Sequence, residues 1–393
     1  MFWGFFWYTG FNPVNIKLIQ FVGVLVLIIY LFKEIFLTKY HRNSYSRIIR
    51  LLIFLIFISI LNALVFWDQS PVLTCRAGVS AFVLLYYFML KKINASYEII
   101  IKLIIIFAIV HIILWLYAVS QAPNVVFGIL VDEIGDSRGF YRIIGLNGKD
   151  AVYLLYFILL TQFIGFKSSK KIKFLFFLII ILLFFIIILS LSRAVILGIM
   201  LITIYYIFKK KPVLLILLFI LTVWGSDLIM KNEVFSILTT MTQTEFGEGD
   251  KSALRIVEYT GFFKYYPWNF LTTLFGHGSP HVNSSYGQYE ELIKYSYGFN
   301  RSDAGYVYLI VTYGVSAILL YLNLGLKVFR QKVNLSTMPF KLYVLFIFFI
   351  SVAGNSFVSN GVGLAISLYV LEQSRIKQKC ISKNTNRGCL ISN

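Results

Sequence analysis

The chain of 393 residues is 59% hydrophobic, 18% aromatic and only 13% charged. A soluble domain carries about 25% charged residues, so this composition excludes a soluble enzyme, a disordered chain and a disulfide scaffold, and points to a polytopic membrane protein. The net charge of +19, from 36 Lys and Arg against 17 Asp and Glu, raises nucleic-acid binding as an alternative that the placement of the charges can decide.

Each crossing of a bilayer needs about 20 mostly apolar residues. The segment Met1 to Phe11 is short for that and rich in Phe and Trp. It reads as an incomplete crossing or an interfacial aromatic stretch, and it lacks the basic start of a cleavable signal peptide. Apolar runs then predict eleven crossings. They are Leu18 to Leu37, Ile48 to Trp67, Thr74 to Leu90, Ile99 to Ser120, Ala151 to Phe166, Phe174 to Leu191, Ala194 to Phe208, Val213 to Met230, Ala304 to Gly325, Leu342 to Val358, and Gly363 to Leu371 with its flanks. Two hydrophilic loops, Gln121 to Asp150 and Lys231 to Asp303, fall on one side of the membrane. The expected organisation is 1–230 (helices with the first loop), 231–303 (large loop), 304–374 (C-terminal helices) and 375–393 (basic tail).

The basic breaks alternate consistently with these crossings. Lys33 to Arg50, Lys91 to Lys102, Lys167 to Lys173, Lys209 to Lys211, Lys327 to Lys341 and the tail from Arg375 hold 24 Lys and Arg, with 3 acids in or beside them (Glu34, Glu98, Glu372). The remainder holds 12 Lys and Arg and 14 acids. This is the positive-inside asymmetry of an inner-membrane protein, and it leaves no excess charge for nucleic acid. Cys380 and Cys389 lie in the tail on the reducing side and Cys75 stands alone, so no intrachain disulfide is expected.

The 35 residues between Lys173 and Lys209 must cross out and back, about 17 per leg, which is the lower limit. The turn Leu189-Ser190-Leu191-Ser192-Arg193 therefore stays near the interface. Arg193 there either snorkels to headgroups or lines an anionic lipid site. Arg138, Arg142, Arg255 and Arg301 lie in the two loops, and Arg76 lies inside the third crossing. Arginine grips phosphate with two donors, so the set points to an anionic ligand. The plain alternative is pairing with nearby acids, for Arg76 with Asp68.

The first loop carries Asp136-Ser137-Arg138-Gly139-Phe140-Tyr141-Arg142-Ile143-Ile144-Gly145-Leu146-Asn147-Gly148, whose glycines match neither nucleotide-binding fingerprint. In the long loop, Lys251, Arg255, Tyr259 and Phe262 share one helical face. That face suits an interfacial helix turned to a lipid-linked substrate, or equally a solvated helix with an Arg255–Glu258 pair. Phe275-Gly276-His277-Gly278-Ser279-Pro280-His281 holds a glycine-flanked histidine, and His281 reads as part of a turn. Asp303, next to Arg301 at the mouth of a crossing, is either a general base for a sugar hydroxyl or a helix cap. His111, within the fourth crossing, reads as a satisfied buried histidine. No Asp-x-Asp metal motif is present, so no metal and no cofactor are expected.

Four short stretches in this order resemble the O-antigen polymerase (Wzy) family and the related O-antigen ligases. They are Arg138-Gly139 with Gly145-Leu146-Asn147; Ser192-Arg193-Ala194; Arg255 upstream of Leu274-Phe275-Gly276-His277-Gly278; and Ser302-Asp303-Ala304-Gly305-Tyr306 leading to Tyr313-Gly314. The resemblance implies an all-α polytopic membrane protein of GT-C-like kind with 11–12 crossings and a large periplasmic loop. It implies a glycosyltransferase that joins oligosaccharide units carried on undecaprenyl pyrophosphate. Pyrophosphate binding carries over to Arg193 and Arg255, and less directly to Arg138, Arg142 and Arg301; Asp303, Arg255 and His277 are the expected catalytic groups. A chain-length regulator is the implied protein partner. Ligases carry a histidine followed by asparagine where this chain has Ser302-Asp303, which favours the polymerase. A flippase for the same lipid-linked unit is the other alternative, and the long loops speak against it.

Overall fold

The computed structural model describes residues 13–40, 44–122, 124, 129–130, 143–144, 148–165, 169–190, 193–210, 254–297, 305–352, 354 and 356–384. The expected crossing Val213 to Met230, the segment Met1 to Phe11, and Arg138, Arg142, Arg301 and Asp303 lie outside the described residues. Of Arg193 and Arg255 only the backbone is described.

The described chain is almost entirely helical, and its helices follow the apolar runs. They are α1 (Pro13–Tyr30, continued by a single π turn at Lys33–Leu37), α2 (Tyr45–Trp67), α3 (Pro71–Gly78), α4 (Leu85–Lys92), α5 (Tyr97–Ser120), α6 (Lys149–Gly165), α7 (Ser169–Ser190) and α8 (Arg193–Lys210). Then come α9 (Leu254–Tyr265), α10 (Phe270–Phe275), α11 (Ser285–Tyr297), α12 (Gly305–Arg330), α13 (Met338–Ile350), α14 (Ser356–Ser359) and α15 (Gly361–Asn384). A tighter three-ten stretch at Val79–Leu84 joins α3 to α4 into one rod. Among the described residues, four helices are long and apolar enough to cross a membrane: Tyr45–Trp67, Pro71–Lys92, Tyr97–Ser120 and Gly305–Arg330. Shorter apolar helices cover Ile19–Tyr30, Lys173–Ile187, Ala194–Phe208 and Met338–Ile350. The chain is thus a helical membrane protein. One two-residue antiparallel ladder, β1 (Ile129–Leu130) with β2 (Ile143–Ile144), is the described remnant of the first loop.

Three expectations change. The crossing read as Leu342 to Val358 is not one helix: α13 stops at Ile350, and a turn at Ser351 and Val352 leads to the four-residue α14. The basic tail from Arg375 begins in mid-helix, because α15 runs unbroken to Asn384. The crossing from Ala304 to Gly325 is interrupted at Gly314, whose φ of 81° and ψ of 172° break α12 into two helical pieces.

Two buried acids cap helices other than their own. A helix N-terminus leaves its first amide donors without intrahelical partners and favours negative charge. At the basic end of the bundle, Glu372 of α15 accepts from the Tyr45 amide at 2.9 Å and from Ser44 Oγ at 2.5 Å, at the start of α2. Ser44 Oγ accepts in turn from the Ser46 amide. At the opposite end, Asp150 of α6 accepts from the Gly363 amide, in the first turn of α15, at 3.1 Å. The two ends of the bundle are therefore locked by the same device, a carboxylate taken from one helix and spent on the orphan donors of another. Between them the core is apolar and aromatic, with Tyr321 stacked on Phe348 at 4.0 Å.

Candidate functional site

The described part of the long loop folds back onto the bundle. Asn269 starts α10 with a reciprocal cap: its side chain accepts from the Thr272 amide, and its own amide donates to Thr272 Oγ1. After six helical residues Gly276 ends the helix at a φ of 76°. The chain then runs between α2 and the break in α12. There the His277 amide donates to the Val311 carbonyl at 2.8 Å and the Gly278 amide to the Thr312 carbonyl at 3.0 Å. Asn62 Nδ2, on α2, donates to the Gly276 carbonyl at 2.7 Å. Backbone that is not helical is tolerated at membrane depth only where its polar groups are taken up by protein, and here loop and helix take up each other's.

Glycine is required on both sides of this contact. A Cβ on Gly276 would overlap the Thr312 carbonyl, one on Gly314 the Leu274 carbonyl, and one on Gly278 the Ser59 carbonyl. All three also have φ near +80°, and with ψ near 180° at Gly276 and Gly314 that backbone costs an L residue on the order of 1–3 kcal/mol.

His277 sits at the bottom of this insertion, 0% exposed. Its Nδ1 accepts from Trp67 Nε1 at 3.2 Å, which leaves Nε2 as the protonated nitrogen of the neutral ring. Trp67, Tyr266 and Trp268 wall the imidazole with centroids 5.8, 5.1 and 4.9 Å away. Tyr286 stacks on Trp67 at 4.3 Å. In this conformation His277 is held deep inside an aromatic box.

Gln69, just past α2, organises the next stretch. Its Oε1 accepts from the His281 amide and from Ser284 Oγ, and its Nε2 donates to the Ser279 carbonyl and to Thr74 Oγ1. His281 lies in the turn expected for it, with Nδ1 accepting from the Asn283 amide. Farther out, burial raises the pKa of the Tyr289 hydroxyl, and the neighbouring Tyr297 adds to the effect. Gln69→Ala removes four hydrogen bonds at once, and the loss is expected to be about 2–3 kcal/mol of local stability. Hydrogen exchange at the His281 amide, which donates to Gln69, measures it, and unchanged protection would remove Gln69 from this role.

The other expected residues fall as follows. Arg193 opens α8, and α7 ends at Ser190; Leu191 and Ser192 of the expected turn lie outside the described residues. Arg255 is the second residue of α9. On the helix face that carries Arg255, Phe262 is 2% exposed and the Tyr259 hydroxyl donates to the Val352 carbonyl, so the described end of that face packs on the protein. Arg76 makes no ion pair with Asp68, which is exposed and ends α2 in a left-handed conformation. His111 is buried, but its Nδ1 has no hydrogen-bond partner among the described residues, so it is not a satisfied core histidine.

Sequence reasoning passed over Asn62, Gln69 and the break at Gly314. The first two had a signal, as polar side chains within or beside an otherwise apolar run. No family model, no curated protein and no solved structure matches the chain.

Proposed function

We propose that this chain is a polysaccharide polymerase of the O-antigen polymerase kind, an inner-membrane glycosyltransferase working at the periplasmic face. One observation carries the reading. Two of the stretches that bear the resemblance, Leu274 to Gly278 and Tyr313-Gly314, lie far apart in sequence yet interlock through the His277 and Gly278 amides and the broken helix. Motifs that are weak one by one gain weight when they form a single structural unit.

In the proposed reaction a hydroxyl of the incoming lipid-linked unit attacks the anomeric carbon of the growing chain. The bond from that carbon to the pyrophosphate oxygen breaks, and the hydroxyl proton passes to Asp303. Arg193 and Arg255, with Arg138, Arg142 and Arg301, neutralise the departing undecaprenyl pyrophosphate, as preorganised donors can do without a metal. His277 is kept as an alternative base; its walled-in position makes this role depend on the loop opening.

Arg193→Ala and Arg255→Ala, at normal protein abundance, are expected to lower polymer formation about 100-fold or more. Wild-type polymer in either variant would reject the pyrophosphate assignment. The break in α12 favours one second reading, a flippase for the lipid-linked unit, because discontinuous helices recur in transporters. Deletion of the gene separates the readings: loss of a polymerase leaves single units on the lipid A-core, whereas loss of a flippase or a ligase leaves none.

A further inference from the structure

Arg76 has no counter-charge among the described residues. It lies in α3, whose rod with α4 is long and apolar enough to cross the membrane. Its position is five residues past Pro71, or about 8 Å below the start of that helix at ~1.5 Å per residue. The packing of Gly78 on Ile60 fixes the register of the α2–α3 hairpin and sets Arg76 level with Asn62, well below the turn. The residue is partly buried, and its Nε is fully buried with no hydrogen-bond partner among the described residues. No carboxylate among the described residues pairs with it.

A charged side chain at that depth is expensive unless an anion meets it. Val72, one turn before it, is 63% exposed, whereas Val79, one turn after it, is buried, so the half-buried Arg76 lies at the edge of the exposed stripe of α3. The anion available along such a stripe is a lipid-borne phosphate, and a guanidinium can hold two of its oxygens at once.

We propose that Arg76 is the anchor of a lipid-phosphate site on the edge of the exposed stripe of α3, at the end of the bundle that carries the long loop. The ligand class is a phosphate-bearing membrane lipid. Its source is either a bulk phospholipid headgroup or the pyrophosphate of a polyprenyl lipid. The site is separate from the arginines assigned above and does not depend on any transferase activity.

The test uses the full-length protein in phospholipid-free maltoside micelles, titrated separately with phosphatidylglycerol and with a polyprenyl pyrophosphate while thermal unfolding is followed. At least one of the two lipids is expected to raise the wild-type Tm. Arg76→Gln is expected to need at least about tenfold more of that lipid for half the effect. The lipid that saturates at the lower concentration in the wild type is the source. Equal titrations for wild type and R76Q would overturn the proposal. So would an R76Q protein that loses stability without lipid but gains the same increment from it, since that is the mark of an internal ion pair. If R76Q does not fold, Arg76→Lys replaces it. Lysine keeps the charge but not the two-point grip, so half-saturation is expected to rise several-fold, and an unchanged titration would overturn the site equally.

Discussion

Glu372→Ala is expected to destabilise the protein by about 3 kcal/mol or more, the largest effect of any single polar truncation at the basic end. The carboxylate is 3% exposed and accepts from both the Tyr45 amide and Ser44 Oγ. Hydrogen bonds to a charged acceptor contribute about 1.5–3 kcal/mol each, and leaving buried donors unmade adds their desolvation. The loss reaches further than one cap. Tyr45 also bonds Gln331, and Gln331 donates to the Leu371 carbonyl, so α2, α15 and the turn after α12 meet at this point. Glu372→Gln keeps an acceptor for the amide and should cost roughly 1 kcal/mol. Arg375→Ala should cost less than about 0.5 kcal/mol, because its 4.0 Å contact with Glu372 is partly solvated. Unfolding in mild detergent ranks the three. A neutral E372A, or an R375A as damaging as E372A, would remove the trans-cap from the account.

Much of the bundle was legible from hydropathy alone, because a helix in lipid must be apolar over its whole length. The start of α8 at Arg193 follows from arithmetic on the residues between Lys173 and Lys209. What hydropathy could not give is pairing at a distance. Glu372 reads as one acid beside a basic tail until α15 brings it under the first turn of α2. Asp150 reads as the end of a loop until it meets Gly363. Asn62 and Gln69 show only that something polar happens at the end of α2, since their partners in the long loop lie more than 200 residues away. The ion pair expected between Arg76 and Asp68 failed for a local reason: Asp68 turns outward as the left-handed residue that ends its helix. The break at Gly314 was hidden because glycine is common in membrane helices and is usually harmless there.

Gly314→Ala and Gly276→Ala are each expected to release the loop from the bundle. Either substitution adds strain at positive φ with extended ψ, on the order of 1–3 kcal/mol, and drives a Cβ into a backbone carbonyl that cannot swing aside. Alanine at 314 also favours a continuous α12 by roughly 1 kcal/mol. A continuous helix would bond the Val311 and Thr312 carbonyls internally, and the His277 and Gly278 amides would lose their acceptors. Because both substitutions break one joint, their effects should not add. The double variant should be about as damaged as either single one, whereas independent sites would add within about 0.5 kcal/mol. Gly198→Ala and Gly325→Ala are the controls: a Cβ there meets only the Ile350 and Phe346 side chains or the Phe348 ring, so the cost should stay near 1–3 kcal/mol and leave the joint intact. Amide exchange at His277 and Gly278 reads the joint directly, and it should rise by orders of magnitude in G314A and G276A but not in the controls. Retained protection at those two amides, or strictly additive losses, would mean that the loop is held by its aromatic box alone and that the broken helix is not its anchor.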